Sequence, residues 1–354
     1  MGVRKILGLA AGLILTVSIF TVGYSFAKEF PLKEGTSCTT EKCHAKMTEK
    51  EYVHGALEDG SCTDCHEMED EGVHKFTFSS EGKELCMGCH EDILEGKHVH
   101  SAFEDGTCTD CHDPHASDYP NHLVANPRGE LCYTCHDGAG FEGASVHKPV
   151  ADGECVSCHS PHASDQEYQL KASVPDLCFG CHGEEKGKGK RKVKVASSLK
   201  KLYENQDLPL HPPFADGECL ECHNPHSSGN PILLASKGPV TNFASYDEGN
   251  YQLCFNCHED LRDSLSQTKA PGETNFRNGG TNLHYLHVVE KGRTCRTCHD
   301  PHGTKNEKLI RNLIPFGRKS LRMRYSITET GGSCAPPCHF QKKYDRENPV
   351  VNKR

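Results

Sequence analysis

The cysteines of this chain occur only in pairs, and a histidine follows the second member of every pair. All 22 cysteines fall into eleven such pairs, so no thiol is left for another role. Two thiols at this spacing reach two vinyl groups of one porphyrin, while the adjacent imidazole reaches the iron. The pattern therefore predicts eleven covalently attached c-type haems.

Nine pairs have C-x-x-C-H spacing, and each trailing histidine is the expected proximal ligand of an iron. They are Cys62, Cys65 and His66; Cys86, Cys89 and His90; Cys108, Cys111 and His112; Cys132, Cys135 and His136; Cys155, Cys158 and His159; Cys178, Cys181 and His182; Cys219, Cys222 and His223; Cys254, Cys257 and His258; and Cys295, Cys298 and His299. Two motifs are longer: Cys38, Cys43 and His44, and Cys334, Cys338 and His339. The last is the least standard attachment site.

Other chemistries that use paired cysteines do not explain the histidines. A disulfide framework needs no histidine after every second cysteine. Zinc ribbons join two C-x-x-C knuckles at one metal and need no trailing histidine each time. A thioredoxin-like motif occurs once or twice within alternating strands and helices, a pattern that is scarce here. Haem attachment is thus the interpretation of all eleven pairs.

The N-terminus has the features of an export signal. Arg4 and Lys5 precede an uncharged apolar stretch over residues 6–27, which ends in a small-x-small cleavage site at Ser25, Phe26 and Ala27. The stretch approaches the roughly 20 residues that span a bilayer, so residues 1–27 are either a signal peptide or an N-terminal membrane anchor. We expect the chain in the periplasm of a Gram-negative bacterium. Inner-membrane anchoring and an outer-membrane or extracellular location are the alternatives.

The composition offers little material for a conventional hydrophobic core. Hydrophobic residues make up 35% of the chain, tryptophan is absent, and there are 33 glycines and 19 prolines. Long stretches show neither helical nor strand periodicity. We therefore expect a mostly irregular fold with short α-helices and little β structure, organised around covalently bound haems that supply the missing apolar volume.

Histidines outside the motifs are candidates for the opposite side of each iron. Among the 24 histidines, five stand eight residues before the first cysteine of alternate motifs: His54, His100, His147, His211 and His287. Four stand three residues after a motif histidine: His115, His162, His226 and His302. Glu69 occupies that second position in the first repeat, so His74, or more weakly Met68, is the expected substitute. One of His98, His122 and His284, or Met47, is then left for the first haem.

These positions define an internal repeat of two haem motifs. Residues 28–53 hold a single motif, and paired-motif units span residues 54–99, 100–146, 147–182, 211–283 and 284–354, the last with a basic C-terminal tail. A basic linker over residues 183–210 separates the third unit from the fourth. Each unit has two proximal and two candidate distal histidines, which predicts a histidine on both sides of each iron.

The repeat resembles a known family. The pattern H-x7-C-x2-C-H-x-P-H, followed by L-C-x2-C-H, is intact in the units that begin at His100, His147 and His211. Residues 54–339 closely resemble the paired (doubled) C-x-x-C-H family of multihaem cytochromes c, common in metal-reducing and sulfate-reducing bacteria. The resemblance implies electron transfer in dissimilatory metal reduction or a similar anaerobic respiration.

Charge is divided between the two halves of the chain. Residues 28–182 contain 11 Lys+Arg and 30 Asp+Glu, whereas residues 183–354 contain 27 and 19. Such asymmetry steers charged partners. The lysine-rich linker is either solvated or a docking surface for an acidic partner or for haem propionates. Nucleic-acid binding is not expected of an exported cytochrome.

Two histidines per iron leave no open position for a substrate, which favours an exported undecahaem electron carrier over an enzyme. No catalytic residue is predicted. Expected partners are an inner-membrane quinol-linked donor, periplasmic or outer-membrane cytochromes and, as an option, a porin; membrane contact is expected only through an N-terminal anchor. One alternative is a terminal reductase of nitrite, hydroxylamine or tetrathionate with one open haem. Another is a subunit of a polymeric haem filament.

Overall fold

The computed structural model describes residues 37–69, 74–105, 108–183, 197–269, 274–316 and 319–353. The predicted leader over residues 1–27 and residues 184–196 of the basic linker lie outside these ranges. Within them, no helix is both long and apolar enough to cross a lipid bilayer. The longest of the described helices has nine residues.

Short helical segments alternate with turns along the described chain. Helices α1 to α11 cover, in order, Gly55–Glu58, Glu84–Met87, Ser101–Asp105, Lys148–Ala151, Val174–His182, Ser197–Tyr203, Pro212–Ala215, Gln252–Phe255, Glu259–Ser264, Leu283–Tyr285 and Cys295–Cys298. A π-helical turn covers Leu286–Glu290, and single 3₁₀ turns cover Ala45–Thr48, Cys62–Asp64, Glu91–Leu94, Cys108–Asp110, Cys132–Thr134, Gly138–Phe141, Cys155–Ser157, Cys219–Glu221 and Glu248–Tyr251. The expectation of an irregular fold with short helices is confirmed.

The helix that precedes the first motif of a unit ends at a glycine of the repeat. After α4, Gly153 adopts a φ of 70°, and the amide of Glu154 donates to the carbonyl of Pro149 at 2.7 Å. Only glycine takes this conformation without steric cost. A Cβ at position 153 would also lie 2.5 Å from the carbonyl oxygen of Arg128. The Asp-Gly pair of the repeat thus ends the helix and turns the chain into the motif.

Two-residue ribbons join neighbouring units. Strand β1 (Tyr52–Val53) pairs with β5 (Ala116–Ser117), β4 (His98–Val99) with β7 (Ala163–Ser164), and β6 (Ser145–Val146) with β8 (Ser227–Ser228), all antiparallel. A bridge between Leu210 and Gly303 occupies the same place between the last two units. Each ribbon joins the residues before one unit's leading histidine to the residues after the Pro-His histidine of the next unit. The units are therefore interlocked rather than strung side by side.

The segment after the first motif of units two to five forms the same turn. Two consecutive non-glycine residues have φ between 51° and 58°: Asn121 and His122, Tyr168 and Gln169, Ile232 and Leu233, and Lys308 and Leu309. This conformation costs an L-residue about 1–2 kcal/mol. Backbone hydrogen bonds hold the turn, as where Asp113 donates to the His122 carbonyl at 2.7 Å and Val124 to that of Cys111 at 3.0 Å. The first unit has instead a hairpin of β2 (His66–Met68) and β3 (Phe76–Phe78).

The C-terminal part departs from the expectation of little β structure and no hydrophobic core. After the short pair β9 (Arg277–Asn278) and β10 (Thr281–Asn282), strand β11 (Leu313–Phe316) pairs with β12 (Lys319–Arg322), and β13 (Arg324–Ile327), β14 (Gly331–Ala335) and β15 (Lys342–Asp345) form a three-stranded antiparallel sheet. Two small clusters of buried side chains lie here: Tyr251, Phe255, Leu265 and Val288, and Ile310, Ile314 and Met323. No haem motif lies between His299 and Cys334, so this stretch pairs its own backbone and buries its own apolar groups.

We expect the haem-free chain to be largely unstructured. The repeats bury few apolar side chains of their own, and burial of apolar surface is the main force that offsets chain entropy. Circular dichroism of protein produced without haem attachment should show little helix, and limited proteolysis should leave at most a fragment from the C-terminal clusters. A cooperative thermal transition of the whole haem-free chain would contradict this expectation.

Candidate haem-binding sites

Each standard motif forms a compact turn that its histidine ends. The amide of His112 donates to the carbonyl of Cys108 at 2.9 Å, and that of His159 to Cys155 at 3.0 Å. Residues three apart on a helical turn project to the same side, so the two cysteines of these motifs face one direction. None of the 22 cysteines, all of which lie in the described ranges, forms a disulfide. The motifs thus present two thiols and one imidazole together, as a thioether-linked porphyrin requires.

Histidine rings meet in pairs, one from a motif and one from outside it. Ten such pairs have ring centres between 5.8 and 6.5 Å apart: His44 with His74, His90 with His54, His66 with His115, His136 with His100, His112 with His162, His182 with His147, His159 with His226, His258 with His211, His223 with His302, and His339 with His287. Every non-motif histidine at a repeat position therefore stands beside a motif histidine.

These separations fit two imidazoles on opposite sides of one iron. The ring centres should then be roughly 6 Å apart, because a metal–imidazole bond is about 2 Å long and the ring centre lies about 1 Å behind the nitrogen. Neutral imidazole is the form that binds a metal. Burial is the first cause that lowers the histidine pKa below its usual value, and so favours the neutral form, at His54, His100, His115, His162, His211 and His226. The residues present fit haem c.

The two distal candidates of one unit approach motifs in different units. The leading histidine approaches the second motif of its own unit, whereas the Pro-His histidine approaches the first motif of the preceding unit. His100 stands beside His136, in the second motif of its own unit, at 6.0 Å. His162, from the third unit, stands beside His112, in the first motif of the second unit, at 6.1 Å. The amide of His100 donates to the carbonyl of His162 at 2.8 Å, so the ribbon holds the two side by side. The first motif of a unit is therefore completed by a histidine of the following unit.

The same shift by one unit changes the assignment of His74. Its ring lies 5.8 Å from His44 of the N-terminal motif, whereas the spacing predicts that His74 belongs to the first paired unit. That unit does not need it, because His115 stands beside His66 at 6.1 Å and His54 beside His90 at 6.1 Å. The geometry favours His74 for the first haem, in place of His98, His122, His284 or Met47.

In the fifth unit, a histidine of the unit itself lies near the first motif. Burial, and then the neighbouring imidazole of His299, lowers the pKa of His284 to about 4. The hydroxyl of Thr274 lies 2.9 Å from Nδ1 of His284, and Phe276 packs edge-on against the ring at 5.1 Å. With Nδ1 engaged, Nε2 is left as the ligating nitrogen. His284 is thus the candidate for the iron at Cys295 and Cys298, a role that the spacing did not predict.

His98 and His122 are left outside these pairs. His98 lies in β4, where its backbone pairs with Ser164. The ring of His122 stands edge-on to His54 at 5.5 Å, and its Nδ1 is buried without a hydrogen-bond partner. The 24 histidines thus comprise eleven motif histidines, eleven neighbours of motifs and these two.

Backbone carbonyls orient the first-motif histidines. Nδ1 of His112, His159 and His299 lies 2.8 to 2.9 Å from the carbonyl oxygen nine residues later, and that of His223 lies 3.2 Å from its counterpart. A carbonyl can only accept, so Nδ1 must carry the proton and Nε2 is left for iron. In each case the carbonyl belongs to the first residue of the left-handed pair. The strained turn therefore positions the proximal ligand.

Thiols of consecutive motifs are neighbours. Burial and then a hydrogen bond with Cys108 raise the pKa of Cys86 to about 11, and burial and then Cys155 raise that of Cys132 to about 11. The same relation joins the leading cysteines 38 and 62, 178 and 219, and 254 and 295. Within a unit, a thiol of the second motif lies near the second cysteine of the first motif. Burial, and then nearby groups that include this thiol, raise the pKa of that second cysteine. The pairs are cysteines 111 and 135, 158 and 181, 222 and 254, and 298 and 334. Cys65 and Cys86 complete the series, so all eleven motifs are adjacent in sequence order.

Removal of His226 should open the iron at His159, in the preceding unit. We expect His226→Ala to produce one high-spin ferric centre by electron paramagnetic resonance, because one imidazole is lost. The high-spin signal should vanish when Cys155→Ala and Cys158→Ala are added, since the opened site then holds no haem. In the matched variant that adds Cys219→Ala and Cys222→Ala, the signal should persist. The reverse outcome would show that His226 completes a site of its own unit.

Removal of His284 should open the iron at Cys295 and Cys298 and leave the first haem sealed. His284→Ala is expected to give one high-spin centre that disappears when both of those cysteines are replaced by alanine. His98→Ala is the matched control, because His98 stands beside no motif histidine, and its low-spin spectrum should be unchanged. Loss of the signal on removal of Cys38 and Cys43 instead would contradict the assignment.

Comparison with known proteins agrees with this geometry. A search of curated proteins finds no match. The family described as doubled CXXCH motif matches residues 54–94, 100–141, 147–187, 211–263 and 287–316, together more than half of the chain. CXXCH motifs imply covalently bound haem c and electron transfer. The resemblance inferred from the repeat is confirmed: this chain belongs to the doubled CXXCH motif family of multihaem c-type cytochromes.

Proposed function

We propose that this protein is an exported undecahaem cytochrome that carries electrons between inner-membrane donors and periplasmic, outer-membrane or extracellular acceptors in an anaerobic or metal-linked respiration. The observation that carries the proposal is the unbroken adjacency of the eleven motifs. Each motif has a thiol neighbour in the next, from Cys38 with Cys62 to Cys298 with Cys334. Bound haem supplies a one-electron redox centre at each site.

The chain's own residues keep these centres in a fixed order. Leading thiols are neighbours between units, whereas within a unit the second cysteine of the first motif lies near a thiol of the second motif, so the two kinds of junction alternate along the chain. Each ribbon between units fixes a pair of distal histidines through a backbone hydrogen bond, for example His147 to His226 at 2.9 Å. An ordered array of closely spaced sites suits electron transfer along the chain rather than chemistry at one site.

Imidazoles on both sides of the sites argue against a terminal reductase. A reductase of nitrite, hydroxylamine or tetrathionate needs one iron with an open position. Here His287 stands beside His339 at 6.5 Å, even at the least standard motif, and His74 fills the corresponding place at His44. A filament whose subunits share an iron ligand is also not needed to complete any motif, because each motif has a neighbouring histidine from its own chain.

Export is proposed from the leader, which lies outside the described residues. Arg4 and Lys5 followed by the apolar stretch predict passage across the inner membrane. Haem attachment to an exported chain is consistent with a periplasmic location. The proposed partners are a quinol-linked donor, other cytochromes and, as an option, a porin.

Two measurements on the exported protein test the proposal together. Intact mass is expected to show eleven haems and to report whether residues 1–27 are removed; ten haems would point first to Cys334 and Cys338. Electron paramagnetic resonance of the oxidised protein is expected to show low-spin signals only. A high-spin ferric centre that binds nitrite or cyanide would overturn the carrier in favour of the reductase.

A further inference from the structure

The positive charge of the second half of the chain is concentrated in its last 50 residues. Residues 305–354 contain 12 Lys+Arg and 4 Asp+Glu, whereas residues 183–304 contain 15 of each. The lysine-rich linker over residues 183–210 has 8 Lys+Arg and 4 Asp+Glu, and the 11 Asp+Glu and 7 Lys+Arg of residues 211–304 offset its surplus. The N-terminal end is of opposite sign, with 8 Lys+Arg and 17 Asp+Glu in residues 28–99.

The three-stranded sheet places this charge around the last haem motif. Tyr325 and Lys342 are the cross-strand partners of Cys334, one on each side. Arg324 pairs with Ala335, the residue after that cysteine, and Lys343 pairs with Ser333, the residue before it. Directly opposite residues in a sheet have Cβ atoms about 5 Å apart. Because successive residues of a strand project to opposite faces, Lys342 shares the face of the attachment thiol, whereas Arg324 and Lys343 project from the other face of the two strands beside it.

These cations are not neutralised by the protein itself. Arg322, Arg324 and Lys343 are exposed, and among the described residues none of the three forms an ion pair with an acidic side chain. By contrast Arg311, in the same segment, pairs with Asp300 at 3.4 Å. Exposed charges without an internal partner keep their field available to other molecules.

An exposed aromatic residue lies in the loop between β14 and β15, next to the last motif histidine. Phe340 follows the motif histidine directly and is 90% exposed, while its carbonyl oxygen accepts from Nδ1 of His339 at 2.6 Å. An apolar centre with a charged rim is the usual anatomy of a protein–protein interface. Transient redox encounters bury less area than stable complexes and depend on charge for their association rate.

We propose that the C-terminal face, defined by the exposed cations Arg322, Arg324 and Lys343, is the docking surface for an acidic redox protein that exchanges electrons at the last haem. This inference rests on the proposed electron-transfer function and names the partner's chemistry and the end of the array that it meets. Complementary charge steers such a partner to this face, while the acidic N-terminal end repels it. The two ends of the array therefore accept partners of opposite sign.

A second copy of the chain would meet the C-terminal face through its own acidic end. Such head-to-tail contacts do not close on themselves, so association of this kind would continue into a polymer. Binding of an acidic redox protein, by contrast, does not join copies of the chain into a polymer. The two occupants therefore differ in their effect on the size of the protein at low salt.

The test is rapid-mixing reduction of the oxidised holoprotein by a reduced plant-type [2Fe–2S] ferredoxin, a small acidic one-electron donor of low potential. The variant Arg322→Glu, Arg324→Glu, Lys343→Glu reverses three charges on the face. The matched control Lys201→Glu, Lys237→Glu, Lys291→Glu reverses three exposed lysines outside it, so both variants have the same net charge. At low salt we expect the first to slow the bimolecular step at least ~10-fold and the control less than ~3-fold, with the difference lost near 0.5 M salt, where screening is on the order of a few Å.

Equal slowing by both variants, or by neither, would overturn the docking surface, because the effect would then follow net charge or no charge at all. Concentration-dependent growth of the wild-type particle at low salt, abolished by the first variant only, would overturn it in favour of a second copy. A dithionite titration of all three proteins separates these results from failure of the proposed function. Equal electron uptake with about one electron per haem leaves the carrier intact, whereas incomplete uptake by the wild type would count against the carrier itself.

Discussion

The constraint on which the structure depends is that each candidate haem site brings together one imidazole from a motif and a second from another part of the chain. In this protein the second imidazole alternates in origin. One comes from the start of the same unit, as His100 does for His136, and the other from the following unit, as His162 does for His112. A single backbone hydrogen bond joins the two donors, so two sites share one ribbon. Pairs of histidines from neighbouring units thereby take the place of apolar packing between the units.

This replacement explains how a chain with few buried apolar side chains holds a defined shape. Left-handed pairs such as Tyr168 and Gln169 are unfavourable by themselves. They are retained because their carbonyl groups orient the motif histidine, as Tyr168 does for His159 at 2.8 Å. The strained left-handed turn thus orients the motif histidine. Where no motif is present, over the residues between His299 and Cys334, the chain turns to ordinary β-sheet and to small apolar clusters.

The first and the last motif-bearing segments depart from the repeat in their candidate ligands. At the N-terminus a single motif precedes the first unit, and His74, from the hairpin region of that unit, reaches back to it. In the fifth unit the candidate beside His299 is His284, which comes from the same unit and is held by Thr274. Both ends therefore use histidines that lie outside the repeat positions. The ends also differ in charge, which gives an otherwise repetitive array a direction.

The sequence by itself determined the attachment chemistry, the number of motifs, the repeat, and the nine histidines at repeat positions, because covalent spacing and chain-local geometry are written in residue order. It also predicted an irregular fold, since few residues have periodic patterns. Only the tertiary structure decided which imidazole approaches which motif. The cross-unit ribbons bring every Pro-His histidine to the preceding unit, and this changes the assignments of His74 and His284 that were made from the sequence. The ribbons are long-range backbone pairings, which have no local signature in the sequence. The basic face around Cys334 has the same origin, since strand register brings Arg324 and Lys343 beside a cysteine distant from Arg324 in the sequence.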